Sequence, residues 1–202
     1  QAIAYANANF DEPHNHFLKL LNFAIGKNFP LSGNVIDLGT GAADIAIKFA
    51  LAYPSFKIDA VDGSKAMLVQ AKKAIDKFDL NHRINLTHTP IQNISLVEKE
   101  YEIILSNSLL HHLHDPTVLW QLVKRAKGDP IIFIMDLMRP KNMHAVNELV
   151  HKYAKEEPEI LQRDFRNSLK AAFTPEEVIL QLEDAKLDSL KVPIVSDRHI
   201  VV

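Results

Sequence analysis

An open α/β fold is the class this sequence predicts: seven strands in a mostly parallel sheet, with helices on both faces. Three observations predict it. Apolar strand-like runs alternate with helix-like stretches along most of the 202 residues, the pattern of right-handed βαβ crossovers. The first run, "NVIDL", leads into a Gly-x-Gly turn at Gly39-Thr40-Gly41. The last two runs, roughly "LKVPIV" and "RHIVV", are separated only by Ser196-Asp197. Two residues cannot carry a crossover, so this closing pair is antiparallel.

Each element follows from its own residues. "NVIDL" is a short buried strand. Residues 43–52 carry Ile45, Ile47, Phe49 and Ala50 on a helix that Pro54 stops. "FKIDAVD" is the second strand. Ser64 can cap a helix whose stripe is Met67, Leu68, Ala71, Ala74, Ile75 and Phe78. "RINLTH" alternates at period 2 and "YEIILS" follows as the fourth strand. Asp115-Pro116 reads as a helix cap with proline at the first helical position. "PIIFIMDL" is a continuous apolar run, hence a strand covered on both faces. Thr174-Pro175-Glu176-Glu177 is a capping box. The chain reads as a single domain over 1–202. Two segments exceed simple connections: the N-terminal stretch 1–30 and an insertion at 138–173. Both are expected to form a lid over the site, with Tyr5, Phe10, Tyr153 and Phe165 lining it.

Composition bounds the function. Hydrophobic residues make up 47% and charged residues 24%, with a formal net charge of -2. No general attraction to nucleic acid or to an anionic membrane is expected from that charge. Cysteine is absent, which excludes disulfides and thiolate metal sites. With no secretory signal and no long apolar run, a cytoplasmic location is the expectation.

The glycine turn carries the first chemistry. Open α/β sheets bind ligands at the carboxyl ends of their strands, and Gly39 and Gly41 let the backbone approach a ligand closely. A dinucleotide turn would read Gly-x-Gly-x-x-Gly. Here its last position is Asp44, and Asp37 precedes the turn. A pyrophosphate would meet carboxylates where it wants N–H donors. A ligand bearing an ammonium would be favoured. S-adenosylmethionine has an ammonium and a sulfonium and no phosphate. Asp62, about twenty residues further on, stands where a carboxylate holds ribose hydroxyls, and serves equally as a helix N-terminal charge. Met67 could cover an adenine face or simply pack. Asn107 and Ser108 fall at the same sheet edge. His111, His112 and His114 follow. A metal on His111 and His114 is set aside because no acidic cluster accompanies them. His111 is the candidate general base, against the plainer reading of packed or solvent-facing histidines.

"VIDLGTGAADIAIKFA", "VDGSKAMLVQAKK" and "YEIILSNSLLHHLHDP" together resemble three successive motifs of class I S-adenosylmethionine-dependent methyltransferases, in order and spacing over about residues 33–136. They are most similar to the small-molecule branch that includes quinone-biosynthesis methyltransferases. The resemblance implies a Rossmann-like seven-stranded sheet of order 3-2-1-4-5-7-6 with an antiparallel last strand. It implies that Asp37, Gly39 and Gly41 sit at the methionine part of the cofactor and Asp62 on the ribose. Gly63, Met67 and Ile91 would lie near the adenine, and Asn107 at the methionine carboxylate end. The family's third glycine is Ala43 here. Where an acidic residue often meets the adenine amino group, this chain has "TPIQNIS", leaving backbone near Ile91 or the Gln92 amide to serve.

The function expected is therefore methyl transfer from S-adenosyl-L-methionine to a small-molecule acceptor by in-line displacement, releasing S-adenosyl-L-homocysteine. No nucleic-acid or membrane partner is expected. Asp136 and Arg139, just past the fifth strand, could orient a polar acceptor. Two other readings stay open: a module that binds the cofactor without methylating, and an NAD(P)-dependent oxidoreductase, which Asp44 disfavours.

Overall fold

The computed structural model describes Ala2 and residues 11–202. Tyr5 and Phe10, expected in the lid, lie outside the described residues. Helix α1 (Asp11–Ile25) ends in a single 3-10 turn, Gly26–Asn28. Strand β1 (Gly33–Leu38), helix α2 (Asp44–Ala52), strand β2 (Phe56–Asp62), helix α3 (Lys65–Lys77) and strand β3 (Ile84–His88) follow in strict alternation. Next come β4 (Ile103–Asn107), α4 (Thr117–Lys124) and β5 (Ile131–Leu137). The chain closes with α5 (Met143–Ala154), α6 (Glu159–Ala171), α7 (Pro175–Asp184) and β6 (His199–Val201).

The sheet has six strands in the order β3-β2-β1-β4-β5-β6. All pairs are parallel except β5 with β6. The expected seven-stranded order is thus corrected to six. "LKVPIV" makes only one antiparallel bridge, Ile194 to Ile200. Its hydrogen bonds are Val195 N–H to His199 O at 3.0 Å and Val201 N–H to Pro193 O at 3.1 Å. The next rung would need an N–H from residue 193. Proline has none, so the ladder stops there.

Period-2 alternation divides the core between two faces of the sheet. Val35, Ile58, Ile103, Leu105, Phe133 and Met135 pack with α1, α2 and α3. Ile36, Leu38, Ile104 and Ile134 pack instead with α4 and α7. Continuing that alternation assigns Asp37 to the first face and Asp136 to the second. Both are the penultimate residues of buried strands, 1% and 2% exposed. Trp120 of α4 is fully buried, and its indole N–H donates to Gln181 of α7 at 2.9 Å.

Local capping matches the sequence closely. Ser64 accepts from Met67 N–H, and Thr174 with Glu177 forms the full capping box. Helix α4 carries the expected cap: Pro116 already has helical backbone angles, φ -66° and ψ -19°, and Asp115 Oδ1 accepts from Thr117 N–H at 3.0 Å and from its hydroxyl at 2.6 Å. Arg83 ties the α2–β2 connection together. Its guanidinium donates to the carbonyls of Ala50, Tyr53 and Phe56 at 2.6–3.1 Å. Arg83→Ala leaves those carbonyls without their charged donor and is expected to cost about 2 kcal/mol, read as a lower urea midpoint at unchanged slope.

The insertion forms two helices, α5 and α6. They share a small core of Val146, Val150, Ala154, Leu169 and Ala172 with Leu137 at the end of β5. That contact holds the hairpin against the carboxyl edge of the sheet.

Candidate active site

A cleft of about 1290 Å³ opens at the carboxyl edge of the sheet. The glycine turn, the end of β2, the end of β4 and helix α6 all contribute to its wall. Of the residues named from the sequence, Asp37, Gly39, Gly41, Asp62, Gly63, Met67, Ile91, Asn107 and His111 all line it. Asp44, Gln92, Tyr153 and Phe165 line it too. His114 is exposed and does not.

The turn is held by carboxylates. Gly39 and Thr40 both donate N–H to Val61 O, at 2.9 and 3.0 Å. Gly41 N–H donates to Asp62 Oδ2 at 2.9 Å, and Ser64 N–H to Asp62 Oδ1 at 2.6 Å. Asp62 therefore fastens β1's turn to β2's end, a structural task the sequence did not reveal. A carboxylate has about four acceptor positions, so two remain for hydroxyls of a ligand. Gly39 has φ +72°, and a Cβ there would lie 2.9 Å from Leu109 Cδ1. Gly39→Ala is expected to cost about 1–3 kcal/mol from strain and crowding. A fall in melting temperature together with weaker S-adenosylhomocysteine binding would check it. Ala43, the residue in place of a third glycine, also takes a left-handed conformation, φ 68°. It immediately precedes α2, and Asp44 is that helix's first residue, favoured there by the dipole.

Asp37 is buried at the floor of the turn, where the Thr40 hydroxyl donates to its Oδ2 at 2.6 Å. Burial raises its pKa to about 7, the Thr40 hydrogen bond opposes that rise, and the charges of Asp62 and Asp44 add to it. Asn107 ends β4, and among the described residues its Oδ1 is buried without a hydrogen-bond partner. A buried acceptor in that state calls for a donor. An ammonium satisfies it; a carboxylate would not. A raised carboxyl, an orphaned acceptor and a glycine turn thus converge on one wall, and the set fits a cationic amino-acid tail rather than a phosphate.

Across the cleft, His111 Nδ1 lies 2.6 Å from Asp136 Oδ1. Asp136 Oδ1 also accepts Leu137 N–H and its Oδ2 accepts Leu110 N–H, both at 2.7 Å. Asp136 could, from its place in the sequence, bind or orient a polar acceptor; its oxygens are instead engaged by Leu137 N–H, Leu110 N–H and His111 Nδ1. Arg139 pairs with Glu177 of the α7 capping box and does not line the cleft. Sequence reading also missed His199 and Arg198, which line the cleft. Burial pushes His199 down to about 4, and Ser196 Oγ lies 3.0 Å from its Nδ1. The Arg198 guanidinium sits 3.4 Å over the Tyr153 ring, and the Tyr153 hydroxyl donates to Asp197 at 2.8 Å. That clasp joins α5 to the turn before β6. Asp136 itself was named from the sequence; its pairing with His111 was not.

Among the described residues, no helix is long and apolar enough to cross a membrane.

A family model described as a methyltransferase domain matches residues 32–179. The uL3 ribosomal-protein glutamine methyltransferase of Burkholderia pseudomallei is 36% identical over 83 residues, covering 38% of this chain and 27% of that protein. The tRNA1(Val) (adenine(37)-N6)-methyltransferase of Pedobacter heparinus is 35% identical over 89 residues, covering 44% of this chain and 36% of that protein. The chain thus spans well under half the length of these relatives. The plantazolicin methyltransferase BpumL, solved with S-adenosylhomocysteine, superimposes with a TM-score of 0.69 at 19% identity, over 91% of this chain and 68% of that one. An S-adenosylmethionine-dependent methyltransferase of Aquifex aeolicus gives 0.61 at 20% identity, over 96% and 98%. At such identities these two structures speak for the fold alone.

The expectation of a small-molecule acceptor and no nucleic acid is overturned by the Burkholderia and Pedobacter relatives and by the release factor glutamine methyltransferase of Gloeobacter violaceus, 36% identical over 73 residues, covering 36% of this chain and 25% of that protein; by name they act on a ribosomal protein, a tRNA and a release factor. Net charge misled because it averages the whole surface and says nothing about one acceptor mouth. Nor do these relatives point to the quinone-biosynthesis branch in particular; motifs at the cofactor edge do not encode the acceptor. The family match over residues 32–179 and the six-stranded sheet agree with what the glycine turn implied, and the chain belongs to the methyltransferase-domain family, the class I S-adenosylmethionine-dependent methyltransferases.

Proposed function

We propose that this chain transfers a methyl group from S-adenosylmethionine to a nitrogen or oxygen nucleophile carried by a peptide, protein or RNA. The observation that carries the reading is the cleft lining that Asp37, Asn107 and the glycine turn share, where the buried Asn107 Oδ1 is an acceptor that no donor among the described residues satisfies. In this reading Asp37 and Asn107 Oδ1 hold the cofactor's ammonium, Asp62 accepts from its ribose hydroxyls, and Gly63, Met67 and Ile91 border the adenine. The cofactor supplies a methyl carbon on a good leaving group. The protein's part is alignment and exclusion of water. The hairpin of α5 and α6 serves as the lid, supported by Tyr153, Leu161, Phe165 and Ser168 on the cleft wall.

The relatives' names support the acceptor class: a glutamine in two of them, the N6 of an adenine in another. Each is an NH₂ on a planar carbon. Incubation with methyl-labelled S-adenosylmethionine and separate peptide, ribosomal-protein and tRNA fractions tests the proposal. Enzyme-dependent label in one fraction is expected. Tight S-adenosylhomocysteine binding with label in none would instead favour a cofactor-binding module without transferase activity.

A further inference from the structure

Asp136 and His111 form a unit on the acceptor side of the cleft. Asp136 Oδ1 and Oδ2 each accept a backbone N–H, from Leu137 and Leu110 at 2.7 Å. A carboxylate so engaged stands as acceptor toward the imidazole, 2.6 Å away at Nδ1. In its unprotonated state the ring then carries hydrogen on Nδ1, and the lone pair lies on Nε2. The ring has no freedom to flip: its side chain is 3% exposed, and the His112 ring packs against it at 4.1 Å between centroids. Among the described residues Nε2 has no hydrogen-bond partner, yet it is not one of the sealed, unsatisfied atoms, so it keeps open surface in a ring that lines both the cleft and a side pocket. Beside it, a side pocket of about 180 Å³ runs between His111, His112 and the α6 residues Asp164, Asn167 and Ser168.

We propose that the pair is a proton-accepting device for the acceptor: His111 Nε2 receives the proton of an incoming N–H or O–H group, and Asp136 is the positioning residue that fixes the tautomer. This rests on the methyltransferase reading above and narrows its substrate class to acceptors that must lose a proton. The bonds balance. The acceptor nitrogen or oxygen forms a bond to the methyl carbon as the carbon–sulfur bond breaks and its electron pair stays on sulfur. The acceptor's proton passes to Nε2, and the imidazolium returns it to water. An acceptor already bearing a free anion would gain nothing from the pair.

The test needs no identified acceptor. Histidine-labelled protein saturated with S-adenosylhomocysteine is studied by long-range proton–nitrogen correlation, with His111 assigned through His111→Gln. Hydrogen on Nδ1 is expected. Acetamide, the primary-amide probe, is expected to shift the Nε2 resonance in the sense of a hydrogen bond received, and N,N-dimethylacetamide, which lacks the donor, to leave it in place. Asp136→Asn is expected to move the ring hydrogen to Nε2 and abolish the acetamide response. Hydrogen on Nε2 in the unsubstituted protein, or equal responses to the two amides, would overturn the proposal; neither result depends on Asp136→Asn folding. A titration of the same sample separates the failures. No S-adenosylhomocysteine binding overturns the methyltransferase reading, and the device with it. Binding with Nε2 protonated overturns the device alone.

Discussion

Asp37→Asn is expected to weaken S-adenosylhomocysteine binding about 100-fold at pH 8 while making the ligand-free protein more stable. Two protonation states produce this pair of opposite effects. Asp37 is raised from 3.8 to about 7, chiefly by burial, against the Thr40 hydrogen bond and with the charges of Asp62 and Asp44 adding. Between those values the folded chain holds a proton that the unfolded chain has lost. Stability of the ligand-free protein therefore falls as pH rises from about 4 to about 7 and levels off above. The whole penalty is on the order of 4 kcal/mol. Asparagine keeps the shape of the neutral side chain at every pH, so its stability gain over the parent grows across that window and is largest at pH 8. An ammonium in the cleft needs the charged form. Affinity of the parent protein for S-adenosylhomocysteine accordingly rises with pH through 7, and binding near pH 6 releases a proton. Calorimetry in two buffers of different ionisation heat reads that proton directly. The variant should show neither the pH slope nor the buffer dependence.

The second large effect is expected at Asp62. Asp62→Ala removes the acceptor that holds Gly41 N–H at 2.9 Å and Ser64 N–H at 2.6 Å. The turn loses its tie to β2, and in the proposed reading the cofactor's ribose hydroxyls lose their acceptor. A drop in cofactor affinity of at least about 100-fold is expected, since losing charged hydrogen bonds costs roughly 1.5–3 kcal/mol each. A loss of about 1–2 kcal/mol in unfolding free energy should accompany it. Asp62→Asn separates the two tasks: it retains one carbonyl acceptor and should recover part of the stability, yet little of the affinity. Equilibrium titration with S-adenosylhomocysteine alongside chemical unfolding checks both.

The alternation of strands and helices was legible because both faces of the sheet are covered. Runs such as "PIIFIMDL" have no other stable use, and Phe133, Met135 and Ile134 divide between the two faces as period 2 requires. The antiparallel sense of the last strand in the sheet was implied by the resemblance, whereas the two-residue turn predicted only its pairing with "LKVPIV", of which one bridge remains. The missing seventh strand was not legible, although its cause, Pro193, stood in plain view. Its effect appears only once Val201 is known to be opposite it. On the site, the glycine turn and its aspartates were legible as residues that line the cleft, since close approach and charge are local properties. The pairing of Asp136 with His111 spans 25 positions and depends on the register of β4 against β5, which no local pattern carries. The cleft wall formed by α5 and α6 is legible least of all, because their contact with the cleft follows from the packing of Val146, Val150 and Leu169 on Leu137.

One titration tests the central claim most directly: S-adenosylhomocysteine and NAD, each added to the purified chain in a calorimeter at pH 8. One site of micromolar affinity for S-adenosylhomocysteine and no heat with NAD is the predicted result. Binding of NAD with no response to S-adenosylhomocysteine would contradict the account.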